Sequence, residues 1–412
     1  MNYRKIPGVI LLIVSFAVLA GCGGEVVVEG HEYIGTRFIN YNVPLATATL
    51  DQDSPDCIYL ISTDEYFVAW KDTRSGDADI YARFFEAYRA EPSSAEILIR
   101  SATGDQVTPK VACNTNDDEL LVVWEDYVAG DADILGQLVD AATGSLIGGT
   151  FSISSVMALN EREPRVTYNS TWNNYLVTWD EDNGGDLDIM GIIVEANGSI
   201  AGPAFVITPT AEDQQSAAVA YDRFNDRYLV VYMDFFNSPL ESDIYAQLVD
   251  YDGGLIGSDF AVTDDSGNQD FPSVAFNGER GRFLVVWEDD FFGDPDIESQ
   301  QVTEDGLLVG SGSGISRHPD NQRNPAVTYN RYFGEYMVVW EDNRYGQLGV
   351  RAQALSSTGY LIGYSAGIND DAVRSIQPAV CSNPTEGEFF TAWSSRYSGE
   401  YDVLGQLLDI WY

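Results

Sequence analysis

Carboxylates recur in this sequence at short, fixed intervals. Asp72, Asp77 and Asp79 fall in Trp70-Lys-Asp72…Gly76-Asp-Ala-Asp-Ile80. Asp126, Asp131 and Asp133 fall in Trp124-Glu-Asp-Tyr-Val-Ala-Gly-Asp-Ala-Asp-Ile134, and Asp289, Asp294 and Asp296 in Trp287-Glu-Asp289…Gly293-Asp-Pro-Asp-Ile297. Oxygen-rich loops of this kind suit calcium, which accepts six to eight oxygens in flexible geometry. All nine aspartates are therefore candidate ligands. Their spacing departs from that of an EF-hand loop, and no glycine stands at that loop's turn position. The competing reading is architectural: an Asp in a turn accepts the amide two residues on, and an Asp before Ile anchors the next strand. Recurrence along most of the chain favours the architectural reading, with calcium as the alternative.

A unique site is expected where the recurrence fails. Tyr232 stands in place of a tryptophan and is followed by a longer loop from Met233 to Ser242. Trp340-Glu-Asp-Asn-Arg344-Tyr-Gly-Gln-Leu-Gly349 lacks the usual Asp before its third strand, and Ser394, Ser395 and Arg396 replace acids after Trp393. Arg344, Tyr345, Arg396, Tyr397, Phe235 and Phe236 are then candidates to rim one funnel. Exposed aromatics beside arginines suit sugars or peptide segments, while ordinary loop drift accounts for the same changes. Evidence for catalysis is thin. The only histidines are His31 and His318, and neither a G-x-S-x-G elbow nor an H-E-x-x-H helix is present. A glycosidase needs two carboxylates at set distances, but among 64 acids such pairs arise by chance.

The elements that position these residues follow a beat. Trp70, Trp124, Trp179, Tyr232, Trp287, Trp340 and Trp393 are separated by 54, 55, 53, 55, 53 and 53 residues. Such a period marks an array of supersecondary units. Each unit holds four short runs rich in Val, Ile, Tyr and Phe, bounded by Asn, Asp and Gly, which read as strands. The first follows a proline (Pro164, Pro272, Pro325). The second ends in the tryptophan, the third opens with Asp-Ile, and the fourth follows a glycine turn, as in Gly254 to Val262. No stretch keeps a helical period. Apolar residues fill both parities of the second run, as expected for strands covered on both faces. The predicted fold is all-β: a seven-bladed propeller of four-stranded blades.

The last unit stops at Tyr412 without a fourth strand, while Arg37 to Leu50 belongs to no complete unit. That segment is expected to complete the last blade, closing the ring and removing an exposed edge. The parity of Cys57 and Cys381 lets them face each other across such a closure, with Cys113 pointing away. A Cys57–Cys381 disulfide is one expectation and buried free thiols the other.

At the N-terminus, Arg4 and Lys5 precede an apolar stretch from Val9 to Leu19, too short to span a bilayer as a permanent helix. It ends in Leu19-Ala20-Gly21-Cys22, which resembles the lipobox of bacterial lipoproteins. The resemblance implies cleavage before Cys22, acylation of that residue, a tether over 22–36 and a propeller over 37–412 outside the cytoplasm. Gly23 in place of an Asp favours the outer membrane or cell surface. The W-E-D-x-x-x-G-x-x-D-I blades resemble an uncharacterised group of bacterial exported propellers, a likeness that implies no activity. The boxes of sialidases, the paired glycines of kelch and a regular WD signature are all missing.

The formal net charge is −42, from 22 basic and 64 acidic residues. Such a chain repels phosphate backbones, so nucleic acid is excluded as a partner. The composition, 45% hydrophobic and 12% aromatic, is that of a folded chain rather than a solvated tail. The expectation from sequence is a monomeric, membrane-tethered binding or scaffolding module with a glycan, peptide or protein ligand. A glycan-active hydrolase or lyase with acids at the channel mouth is one alternative, and a calcium-stabilised structural propeller is another.

Overall fold

In the computed structural model, the described residues are 35–411 except 129, 156–158, 183, 209, 211, 239–240, 370–372 and 397–398, and except the side chains of 236–238. Cys22 and the expected signal and tether therefore lie outside the described residues, apart from the tether's last two positions. Contacts divide the chain into Met1–Glu32 and Tyr33–Tyr412, and every described residue belongs to the second unit.

All regular structure among the described residues is β, and no helix there is long and apolar enough to cross a membrane. β1 (Gly35–Phe38) and β2 (Val43–Ala46) come first. Antiparallel four-stranded sheets then follow one another along the chain. They are β3 (Gln52–Leu60), β4 (Glu65–Asp72), β5 (Asp79–Glu86) and β6 (Ile97–Arg100); then β7 (Gln106–Asn114), β8 (Glu119–Asp126), β9 (Asp133–Asp140) and β10 (Leu146–Ser154). Next come β11 (Asn160–Asn169), β12 (Asn174–Asp182), β13 (Leu187–Glu195) and β14 (Phe205–Val206), followed by β15 (Gln214–Asp222), β16 (Arg227–Ser238), β17 (Glu241–Asp250) and β18 (Leu255–Thr263). A fifth sheet holds β19 (Gln269–Asn277), β20 (Arg282–Asp289), β21 (Asp296–Thr303) and β22 (Leu308–Ser316). The remaining strands share one nine-stranded sheet with β1 and β2: β23 (Gln322–Asn330), β24 (Glu335–Asp342), β25 (Gly349–Ser356), β26 (Leu361–Gly367), β27 (Ser375–Asn383), β28 (Glu388–Ser395) and β29 (Asp402–Trp411).

The apolar pattern explains the stacking. Along β8, Leu120 to Trp124 are fully buried on both faces, as sheets sandwiched between sheets require. The apolar core is divided into clusters, each drawn from two sets of strands consecutive in sequence. One further cluster joins the two ends of the array, packing Tyr66 and Trp70 of the β3 sheet against Phe390 and Leu407.

Three expectations need correction. The segment Arg37–Leu50 forms two short strands rather than one: β1 pairs with β29 at Leu408–Trp411, and β2 pairs with it at Val403–Gly405. Between them the side chain of Asn40 substitutes for the ladder, its Oδ1 accepting the Leu407 amide at 2.9 Å. The loop expected over Met233–Ser242 is largely an extension of β16, paired with β17 as far as Ser238 and Glu241. Finally, Cys57, Cys113 and Cys381 are free. Cys57 and Cys381 do share the cluster that joins the chain ends, with Cys113 against a different one. Burial pushes the Cys57 thiol well up, so it remains protonated.

Candidate binding site at the channel mouth

The Trp-Glu-Asp triplet is a structural joint. In the second strand of a unit the Asp accepts its own tryptophan's indole N–H, as in Trp287 to Asp289 at 3.2 Å and Trp340 to Asp342 at 3.0 Å. Its other oxygen accepts the amide two residues on, in Phe291 at 2.9 Å and Arg344 at 3.0 Å, which is an Asx turn. The Glu reaches the leading strand of the next unit. Glu125, Glu288 and Glu341 accept the amides of Glu163, Asn324 and Gln377 at 2.9, 2.6 and 2.8 Å, and Asp180 accepts that of Ser216 at 2.8 Å.

Those acceptor bonds hold a strained ring. Each leading strand carries a bulge whose residue is left-handed: Ser54, Thr108, Glu163, Ser216, Phe271, Asn324 and Gln377, with φ between 48° and 56°. For residues other than glycine this conformation costs roughly 1–3 kcal/mol each, so neighbouring groups must hold it in place. All seven line a central channel of about 490 Å³. Burial pushes the carboxyls that hold them upward, Asp180 to about 7 and Glu288 to about 8, with Glu341 raised as well. Lys110 also lies in the channel, where burial pulls its ammonium below its ordinary value.

The joint fails between the β23–β26 and β27–β29 strands. Four residues before the leading-strand proline, other units place an acceptor for the preceding unit's chain: Asp105 takes the Ala78 amide at 3.0 Å and Asp51 that of Tyr401 at 2.8 Å. Arg374 occupies this position before β27 and supplies no acceptor. Asn321 occupies it before β23, where the facing residue is Pro295, which has no N–H to give. At the end of β28, Ser394 and Ser395 replace the acids, and Trp393 Nε1 is buried without a hydrogen-bond partner. A cavity of about 890 Å³ opens there, lined by Arg323, Arg374 and Arg396, by Asn321, Asn324, Asn343, Gln347 and Gln377, and by the buried Glu341. Glu341 Oε1 is held by the Asn324 side chain at 2.8 Å and the Gln377 amide at 2.8 Å.

The structure separates the candidates named from sequence. Arg396 lines this cavity, and Tyr345 is exposed in the loop that borders it. Arg344 instead turns back on Asp342, with two contacts of 2.7 Å, so its guanidinium is occupied by its own turn. Phe235 packs against an apolar cluster rather than the mouth. The Phe236 side chain and Tyr397 lie outside the described residues. The aspartates proposed for calcium are corrected too: among the described residues no three His, Cys, Asp or Glu side chains converge as metal ligands. Asp72, Asp126 and Asp289 serve the indole and the turn. Asp77 accepts the Gly104 amide and Asp79 the Ser75 hydroxyl, while Asp131 is engaged and Asp294 is exposed. Burial raises Asp133, and raises Asp296 to about 6. Arg323 and Arg374 lie outside the loops that follow the tryptophans, where the repeat visibly breaks. The detectable signal was Arg374, a lone cation at a position filled elsewhere by Asp51, Asp105, Asn160, Asp213, Asn268 and Asn321.

No family model and no curated protein matches this chain. Among solved structures, it is similar to the polysaccharide lyase Uly1, with a TM-score of 0.58 and 8% identity over 91% of this chain and 100% of that one. It is also similar to the β-propeller domain of the Trilobed protease from Pyrococcus furiosus, described as having an open velcro topology, with a TM-score of 0.52 and 8% identity over 87% and 94% of the two chains. At such identities the likeness establishes a propeller-like all-β fold.

Proposed function

We propose that the chain is a ring-closed, seven-bladed propeller, exported and lipid-anchored through Cys22, that acts on glycans at the mouth of its channel between the sixth and seventh blades. Support for seven blades comes from the nine-stranded sheet, whose two halves are joined only by β1. β1 runs along β29 and meets β26 at one parallel pair, Gly35 with Tyr364. Closure is supported by the packing of β27 and β28 on β3, where the Ser54 amide donates to the Gln377 side chain at 3.2 Å.

The observation that carries the glycan reading is the polar cavity at the broken joint. Its side-chain amides each offer both donors and an acceptor, the combination that neighbouring sugar hydroxyls require. Tyr345 adds an exposed ring on which a pyranose face can rest. Full-length fold likeness to a polysaccharide lyase supports turnover, and Glu341, whose carboxyl burial holds above its ordinary range, is a carboxyl positioned in the cavity for proton exchange. A second reading, retention without turnover, is favoured by the fact that Glu341 shares its amide-holding role with Glu125 and Glu288.

Polysaccharides presented as an array, with retention and released oligosaccharides both measured, test these readings. Turnover by the wild type, lost in Glu341→Gln with retention intact, supports an enzyme, because Gln still accepts the Gln377 amide. Retention without product supports a binding module. If no glycan is retained or cut, the glycan reading fails.

A further inference from the structure

We infer that the cavity between the sixth and seventh blades is a subsite for an anionic saccharide, one bearing a carboxylate or a sulfate ester; this rests on the glycan reading above. The argument begins with an imbalance. Acids outnumber bases 64 to 22 in this chain, so three unpaired arginines gathered at one place, with few carboxylates beside them, run against the composition. Arg37, Arg74, Arg100, Arg165, Arg227, Arg317 and Arg344 are all ion-paired. Among the described residues, Arg162, Arg223, Arg280, Arg323, Arg331, Arg374 and Arg396 are exposed and have no ion pair, and three of these, Arg323, Arg374 and Arg396, line a single cavity.

Their positions show how they are held apart from acids. Arg374 stands where the other units place an Asp or Asn that binds backbone, and Arg396 follows the two serines that replace a Glu-Asp pair. The same substitutions that remove carboxylates from this joint add the guanidiniums. Arg396 is steadied by donating its Nε–H to the Gly399 carbonyl at 2.9 Å, with its guanidinium 5.9 Å from the Tyr401 ring centre. Among the described residues the one carboxylate lining the cavity is Glu341, whose Oε1 is committed to two donors and which burial pushes toward its neutral form, so it neutralises the arginines only weakly. Guanidinium forks bind carboxylate and sulfate oxygens in pairs, and the surrounding amides then read the hydroxyls. The chain's overall negative charge does not veto this binding. Beyond a Debye length of about 8 Å in physiological salt the repulsion is screened, and within that distance the local arginines dominate.

The test uses three probes on the full protein by calorimetry: an oligogalacturonate, the same oligomer fully methyl-esterified, and a sulfated galactan oligosaccharide. Esterification keeps the shape and removes the charge. Arg374→Asp is the informative variant, since it restores the residue type that holds backbone in the other units and should keep or raise the melting temperature. The expected result is binding of at least one charged probe, weakened about 10-fold or more in Arg374→Asp and again in Arg323→Ala, with the methyl ester bound at least as weakly. The two charged arms separate a carboxylate subsite from a sulfate subsite. Equal binding of ester and free acid, unchanged by Arg374→Asp, overturns the anionic subsite while leaving the glycan reading standing. If none of the saccharides binds but inorganic sulfate does, in an Arg374-dependent way, the anion site survives and the glycan reading falls.

Discussion

The joint between the β19–β22 and β23–β26 strands and the joint between the β23–β26 and β27–β29 strands are built on the same plan and differ in what they leave over. At the first, Trp287, Glu288 and Asp289 satisfy one another and the Asn324 amide. Every acid of the triplet is consumed in holding backbone. At the second, Glu341 still holds Gln377, but the residues facing it across the cavity have lost their acids and gained arginines. The indole that follows, Trp393, has no acceptor. The regular joint stabilises the ring, while the irregular one gives up hydrogen bonds and exposes unpaired charge. The recurring triplet thus serves the structure, and the departure from it leaves an open, polar cavity.

This contrast makes graded predictions. The largest effect is expected from Trp287→Ala, which empties a site packed on both sides and should cost about 3–5 kcal/mol in denaturant unfolding; a loss below about 1 kcal/mol would contradict the role given to the indole. Next is Glu288→Ala. It strands the amide of a left-handed residue and should cost about 1–3 kcal/mol, whereas Glu288→Gln, which keeps an acceptor and removes a buried charge, should cost much less. Equal losses in the two variants would show that the negative charge, not the hydrogen bond, matters.

The buried carboxyls also set a pH dependence. Burial raises Asp180 to about 7, Glu288 to about 8, and Glu335 and Glu388 each to about 7. Unfolded carboxyls titrate near ~4, so the folded state binds these protons more tightly. The resulting stability is complete below the unfolded values and is lost as pH rises through 7 to 8. Melting temperature should therefore fall between about pH 5 and about pH 8.5, and Glu288→Gln should flatten that slope; a rising profile would be incompatible with the buried acids.

A smaller difference separates two tryptophans. Trp287→Phe breaks a bond to Asp289, but Trp393→Phe removes a donor that has no partner. The first should be worse by about 1 kcal/mol, and parity between them would mean that the indole bond contributes nothing. The smallest effect is expected from a chelator. With the loop aspartates bound to indoles and amides, melting should not move on removing divalent ions, whereas binding to the folded state would have to raise it.

Much of the fold was legible because it repeats. A period of 53 to 55 residues, runs of Val, Leu and Tyr, and Asp in turns are local signals, and strand identity follows from side-chain alternation and β-propensity within a few residues. The turn role of Asp126 and Asp289 was readable for the same reason, since each bonds an amide two residues away. The site was only half legible. Ser395, Arg396 and Gly349 showed as exceptions. The difference between Arg344 and Arg396 was written there too, in the Asp342 that stands two residues before the first and the Ser394 two before the second. What it means, a guanidinium folded back on its own turn, shows only in the structure.

The sequence therefore specified strands, turns and repeat number through short-range forces that act along the chain. The role of Glu288 and Glu341 escaped it, because each meets an amide 36 residues away on the leading strand of the following unit. So did the meeting of Arg323, Arg374 and Arg396, brought into one cavity from the start of β23 and from the loops before β27 and after β28. Long-range packing of sheet on sheet decides such encounters, since burial fixes which faces meet and hydrogen-bond geometry then fixes which side chains reach across.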